Sequence, residues 1–204
     1  MKKTFYVVTD RYDKPFAAFA DLLPALRHVD GLMMEAYTKD ESPEISVWAV
    51  WSESPAEAVY GRFFENRYLE VYNSHLAERG DFPEEDFDQK TFFVVYDEQT
   101  DETFGVFPEL LDAADLWNHL IEDDEKRDLK QPLHLAAVYA GRPPEDAFEI
   151  RPYLLILGSD RDVPGFDIHR KAMTRVASRI RRGGWPTTKD WSPSGKFPRH
   201  PGRI

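Results

Sequence analysis

Two stretches of the chain spell nearly the same pattern. Lys3-Thr4-Phe5-Tyr6-Val7-Val8-Thr9-Asp10 aligns with Lys90-Thr91-Phe92-Phe93-Val94-Val95-Tyr96-Asp97, an offset of 87 residues. One inserted residue in the next turn moves the offset to 88, after which Phe16-Ala17-Ala18-Phe19 meets Phe104-Gly105-Val106-Phe107 and Leu22-Leu23 meets Leu110-Leu111. Further on, Ala49-Val50-Trp51 meets Ala137-Val138-Tyr139, Pro55 and Glu57 meet Pro143 and Glu145, and Tyr60 lands on Phe148. One such block could be accidental. Three in the same order at a nearly constant offset constrain the fold to a duplicated unit.

Each unit has a readable plan. Phe5-Tyr6-Val7-Val8 is a run of aromatic and β-branched residues, the composition of a strand. Arg11-Tyr12-Asp13-Lys14-Pro15 and Glu98-Gln99-Thr100-Asp101-Glu102 carry turn chemistry, so Phe16–Phe19 and Phe104–Phe107 return as second strands. Leu22, Leu23, Leu26 and Val29 then recur at helical spacing, as do Leu110, Leu111, Ala114, Trp117, Leu120 and Ile121. A third strand comes next at Ile45–Trp51 and Leu133–Tyr139. The expected fold is α+β: two tandem ββαβ repeat units with antiparallel sheets, packed as a pseudo-two-fold body because each unit alone leaves a sheet face or edge uncovered. A basic C-terminal helix and an extended tail complete it. The corresponding domains are 1–88, 89–167 and 168–204.

The units are expected to differ beyond their third strands. Residues 56–79 read as a helix, with Tyr60, Phe64, Tyr68 and Tyr72 four residues apart; such a stripe is core or a partly exposed aromatic docking face. Residues 150–157 read as an extra strand, with Pro152 placing its start or an edge there.

Charge divides the chain differently. Residues 169–204 hold ten Lys/Arg and one acid, a net +9, which leaves −20 on residues 1–168 from the total of −11. Ile168 to Arg182 reads as an amphipathic helix with Ile168, Ala172, Val176 and Ile180 on one side, ended by Gly183-Gly184. Three roles suit this segment: packing on the acidic body, contact with a protein partner, or nucleic-acid association. In the last, Arg170, Arg175, Arg179 and Arg182 meet phosphates, and Trp185 and Trp191 stack on bases.

Several chemistries are disfavoured. The chain has no cysteine, which removes disulfides, thiol nucleophiles and thiolate metal sites. No glycine-rich phosphate loop or Gly-x-Ser-x-Gly elbow is present, and the six histidines are scattered. Gly158-Ser159-Asp160-Arg161-Asp162, with Asp167 downstream, is the one catalytic candidate: carboxylates after a strand can converge on Mg²⁺. A solvated turn explains it equally. No cofactor is expected. The apolar stretch after Met1-Lys2-Lys3 is too short for a signal peptide, and apolar runs elsewhere, such as Tyr153–Leu157, are too short to span a membrane, so the protein reads as cytoplasmic.

The leading functional expectation is a non-enzymatic binding or regulatory protein, its acidic body contacting a protein and its basic tail making a second contact. An alternative is an acidic mimic of nucleic acid. In charge alone, the chain resembles inhibitors of restriction enzymes and of RNA-guided nucleases. A metal-dependent hydrolase or nuclease is the remaining alternative.

Overall fold

The computed structural model describes residues 2–61, 63–75, 82–84, 86, 88–100, 102–126, 132–144 and 152–158, the side chains of residues 125 and 126 excepted. It is an α+β fold with two four-stranded antiparallel sheets. The first half runs β1 (Lys3–Asp10), β2 (Pro15–Phe19), α1 (Leu22–Thr38), β3 (Ile45–Ser52), a π-helical turn (Glu57–Gly61), α2 (Phe63–Asn66) and β4 (Arg67–Asn73). The second runs β5 (Lys90–Asp97), β6 (Thr103–Phe107), α3 (Leu110–Lys126), β7 (Leu133–Ala140) and β8 (Leu154–Gly158). The sheet orders are β2-β1-β3-β4 and β6-β5-β7-β8.

Local chemistry sets these elements. The central strands are apolar on both faces because both faces are covered: Tyr6 and Val8 point to one side of β1, Phe5 and Val7 to the other, and all four are buried. The first hairpin turns on Asp10, whose carboxylate accepts from the backbone N–H of Tyr12 (2.9 Å) and Lys14 (3.0 Å). Asp97 does the same for Gln99 (2.7 Å) and Thr100 (3.1 Å). Each hairpin carries a register shift at the matching place, between Val8 and Thr9 and between Val95 and Tyr96. Asp21 caps α1 by accepting from Leu23 N–H. Pro24 is tolerated in the first turn, where its missing N–H has no intrahelical partner to lose.

One main core spans both sheets. It takes Tyr6, Val8, Leu26, Val47 and Tyr68 from the first half and Phe93, Val95, Trp117, Leu135 and Ala137 from the second. Tyr6 and Phe93 stack there with ring centroids 6.5 Å apart. The Thr91 hydroxyl donates to Asp21 across the halves (2.8 Å), and the outer strands β4 and β8 come into contact. Smaller clusters cover the outer faces: Phe5, Val7, Val50, Ala58, Val59 and Phe63 on the first sheet, Phe92, Val94, Val138 and Ala140 on the second.

Two expectations need correction. Residues 56–79 are not one helix: helical structure ends at Asn66 and the chain continues as strand β4. A spacing of four residues is one helical turn but also two full strand repeats, so Tyr60, Phe64, Tyr68 and Tyr72 fit either period. The exposed edge of β3 decides it by accepting Arg67–Asn73 as a fourth strand. The strand after the third is therefore not peculiar to the second half, since β4 and β8 occupy matching positions. No helix among the described residues is long and apolar enough to cross a membrane.

Candidate protein-contact surface

The segment between β3 and β4 builds the surface. Ser54 caps the segment: Glu57 N–H donates to the Ser54 hydroxyl (3.2 Å), while the Glu57 carboxylate reaches back to accept from Glu53 N–H and the Ser52 hydroxyl (both 2.8 Å). So anchored, the segment presses Ala58, Val59 and Phe63 onto Phe5, Val7 and Val50. Tyr60 and Phe64 are left facing solvent, 84% and 65% exposed.

Arg67 closes the arrangement at the start of β4. Its guanidinium lies over the rings of Trp48 (4.4 Å), Phe64 (5.1 Å) and Phe63 (5.5 Å). Its Nη1 donates to Asp13 Oδ2 at 2.7 Å. Asp13 stands at the tip of the β1–β2 hairpin with φ of 59°, a left-handed conformation that Asp tolerates better than most residues. The bridge therefore ties hairpin tip, sheet face and covering segment together. The buried Trp48 Nε1–H has no acceptor among the described residues.

The four expected aromatic residues divide. Tyr60 and Phe64 lie on the outer side of the first sheet. Tyr68 is 2% exposed in the main core, its hydroxyl hydrogen-bonded to Thr4 Oγ1 at 2.9 Å, and Tyr72 packs half-buried against that core. Trp48, Arg67 and Asp13 belong to the site although sequence reasoning missed them; Asp13 and Arg67 are 54 residues apart, and no local pattern joins them. Arg170, Arg175, Arg179, Arg182, Trp185 and Trp191, and the candidate metal ligands Asp160, Asp162 and Asp167, lie outside the described residues.

A second polar cluster lies where the halves meet. Burial pushes the hydroxyls of Tyr6, Tyr68 and Tyr153 well above the ordinary tyrosine range, so they stay neutral. Tyr153 pairs with Thr91 at 3.0 Å, as Tyr68 does with Thr4. Burial also raises Glu109, with Asp21 adding repulsion and Lys3 and Lys90 opposing it. Asp112 is pushed up to about 6 by burial first, then by Glu109 and Asp115. The described residues contain no group of three or more His, Asp or Glu placed to hold a metal ion.

Charge also separates the halves. Residues 3–38 carry four cations against five acids, whereas the matching residues 90–126 carry two against eleven. No family model matches the chain, and neither a curated protein nor a solved structure does.

Proposed function

We propose that this is a non-enzymatic binding or regulatory protein that engages a protein partner through the outer side of its first sheet. One observation carries the reading: Phe64 stands in solvent beside Arg67, which three rings and a carboxylate hold in place, and Tyr60 is exposed on the same covering segment. Ordered arginine next to exposed large rings is the composition of binding hot spots, because such side chains bury much area while losing little conformational freedom. Residues 168–204 supply the second contact, to nucleic acid or protein, through Arg170, Arg175, Arg179, Arg182, Trp185 and Trp191.

The body that presents this surface is read as two copies of one plan about an approximate two-fold. Tyr6 and Phe93, equivalent in the aligned sequence, contact each other, as equivalent residues do near such an axis. The Thr4–Tyr68 and Thr91–Tyr153 pairs repeat one hydrogen bond at matching places.

Photo-crosslinking tests the contact surface. A benzoylphenylalanine at position 60 or 64 of the full chain is expected to give a discrete adduct in the cells that make it. The same group at Tyr37, an exposed ring on α1, should not, and Arg67→Ala should weaken the adduct. Adducts absent from positions 60 and 64, or equal from 37, would sink the reading.

The acidity of residues 90–126 favours a second reading, a surface that occupies the cationic channel of a nucleic-acid-handling enzyme. That reading requires salt-sensitive association with such an enzyme, competed by its nucleic acid. Association insensitive to salt would end it.

A further inference from the structure

The first hairpin spends both of its acids internally. Asp10 accepts from the turn's own N–H groups, and Asp13 is held by Arg67. Its cations are not spent. The Arg11 guanidinium donates to the Tyr12 hydroxyl and lies over that ring at 4.6 Å, and neither the Arg11 nor the Lys14 side chain is paired with a carboxylate among the described residues. Tyr12 itself is 72% exposed. The Arg67–Asp13 bridge links this turn to the covering segment, so the turn that carries Arg11, Tyr12 and Lys14 adjoins the segment that carries Phe64. In a chain of net charge −11, this turn keeps two cationic side chains outside any ion pair among the described residues, beside the open ring of Tyr12.

The geometry points to a protein segment that presents carboxylates among apolar side chains as the occupant of this surface. The inference rests on the contact reading above and adds the chemistry of the partner. Carboxylates complete Arg11 and Lys14 with charge-assisted hydrogen bonds, and apolar side chains cover Tyr12 and Phe64. A nucleic acid is disfavoured. A duplex brings one negative charge per ~1.7 Å into the field of a body carrying −20. A protein segment brings a few carboxylates and no continuous charge.

The test titrates ¹⁵N-labelled full-length protein with a short peptide alternating Asp and Glu with Leu and Phe. Its Asn/Gln counterpart and an oligo-deoxythymidine form parallel arms. Amide shifts are expected at Arg11, Tyr12, Lys14 and Phe64, with the amide peptide at least about tenfold weaker. The Arg11→Ala/Lys14→Ala double variant, which keeps the Arg67–Asp13 bridge, should abolish the preference for the acidic peptide. Equal binding of both peptides at these residues would keep the contact surface and overturn its acidic preference. No shift there with either peptide up to millimolar concentration would overturn both. Stronger binding of oligo-deoxythymidine at the same residues would replace the protein segment with a polyanion. Shifts that grow with protein concentration alone would make the occupant a second copy, through its acidic 90–126 region, and would equally overturn the proposal.

Discussion

The two sheets share a backbone plan and differ in what they show to solvent. Val7 pairs with Trp48 in the first sheet, whereas Val94 pairs with Ala136 at the matching place in the second. Leu69 pairs with Ala49 and Leu154 with Ala137, so counting back two residues sets Arg67 against Pro152. The first half thus has an indole, a guanidinium and a mixed-charge turn where the second has a methyl, a proline and acids. The inner faces diverge less: Tyr6 and Phe93 differ by one hydroxyl, and Thr4 and Thr91 are identical. Positions that must pack against each other keep their chemistry. The outer positions, free of that constraint, are where the chemistry of the two halves differs most.

The largest expected effect breaks the comparison at the shared core. Phe93→Ala should cost about 3–5 kcal/mol, the usual range for emptying a buried aromatic site. Because Phe93 stacks on Tyr6 of the other half, circular dichroism and tryptophan fluorescence should follow one lowered thermal transition. Two separated transitions would mean that the halves fold independently despite the shared core.

Next in size is a residue that the halves do not share. A Cβ on Gly105 would lie 2.6 Å from a ring carbon of Phe107 and 3.0 Å from the Leu116 side chain. Gly105→Ala must displace the Phe107 ring and is expected to cost roughly 1–3 kcal/mol by overpacking. The matching residue in the first half is already alanine, Ala17, packed at the edge of the same core. Unchanged urea denaturation of the variant would show that the Phe107 ring moves aside freely.

The third prediction sharpens the comparison by using one bond twice. Tyr68→Phe leaves buried Thr4 Oγ1 without its partner and should cost about 1–2 kcal/mol. Tyr153→Phe removes the matching bond, but Thr91 still donates to Asp21, so its cost should be the smaller of the two. Equal losses in denaturant unfolding would deny Asp21 that compensating role.

How much of the fold was open to sequence reading depends on the range of each interaction. The hairpins, α1, α3 and third strands were legible because periodicity and turn chemistry act within a few residues, as Asp10 and Asp97 do on their own turns. The fate of Tyr68 was not, because a four-residue interval satisfies both helix and strand. Only the demand of β3 for a neighbour resolves it. The Arg67 clamp was invisible for another reason: Asp13, Trp48 and Phe64 reach it from three separate elements, and no spacing encodes that meeting. Tyr60 and Phe64 were legible as residue types, but not as residues left outside the core.

Acidity gives a smaller effect confined to the second half. The Asp112 carboxyl holds its proton up to about 6 in the folded protein, against an ordinary value of 3.8. A group raised on folding favours the folded state while it is protonated, so its contribution is fully present below about pH 4 and lost as pH rises through about 6. Asp112 is partly exposed, and screening should hold the loss to about 1 kcal/mol. Asp112→Asn should therefore raise the melting temperature at pH 7.5 and flatten its fall between pH 4 and 7. The matching residue in the first half is Pro24, which cannot titrate. A pH profile unaltered by Asp112→Asn would assign the slope to other carboxylates.

The smallest effect on stability tests the largest difference in surface. Asp13→Asn keeps a residue suited to the left-handed turn conformation and removes only the charge facing Arg67. Both partners are partly exposed, so the expected cost is about 0.2–1 kcal/mol. Arg67→Lys should cost somewhat more, since a lysine keeps the charge but loses the flat guanidinium that lies on Trp48 and Phe64. If the clamp serves binding, the two variants should separate on crosslinking from position 64. Asp13→Asn leaves Arg67 stacked and the adduct nearly intact, while Arg67→Lys frees the ring carried at position 64 and lowers it. Equal adduct yields from both variants would reduce the clamp to a stabilising pair. The difference between the two outer faces would then lie in Tyr60 and Phe64 alone.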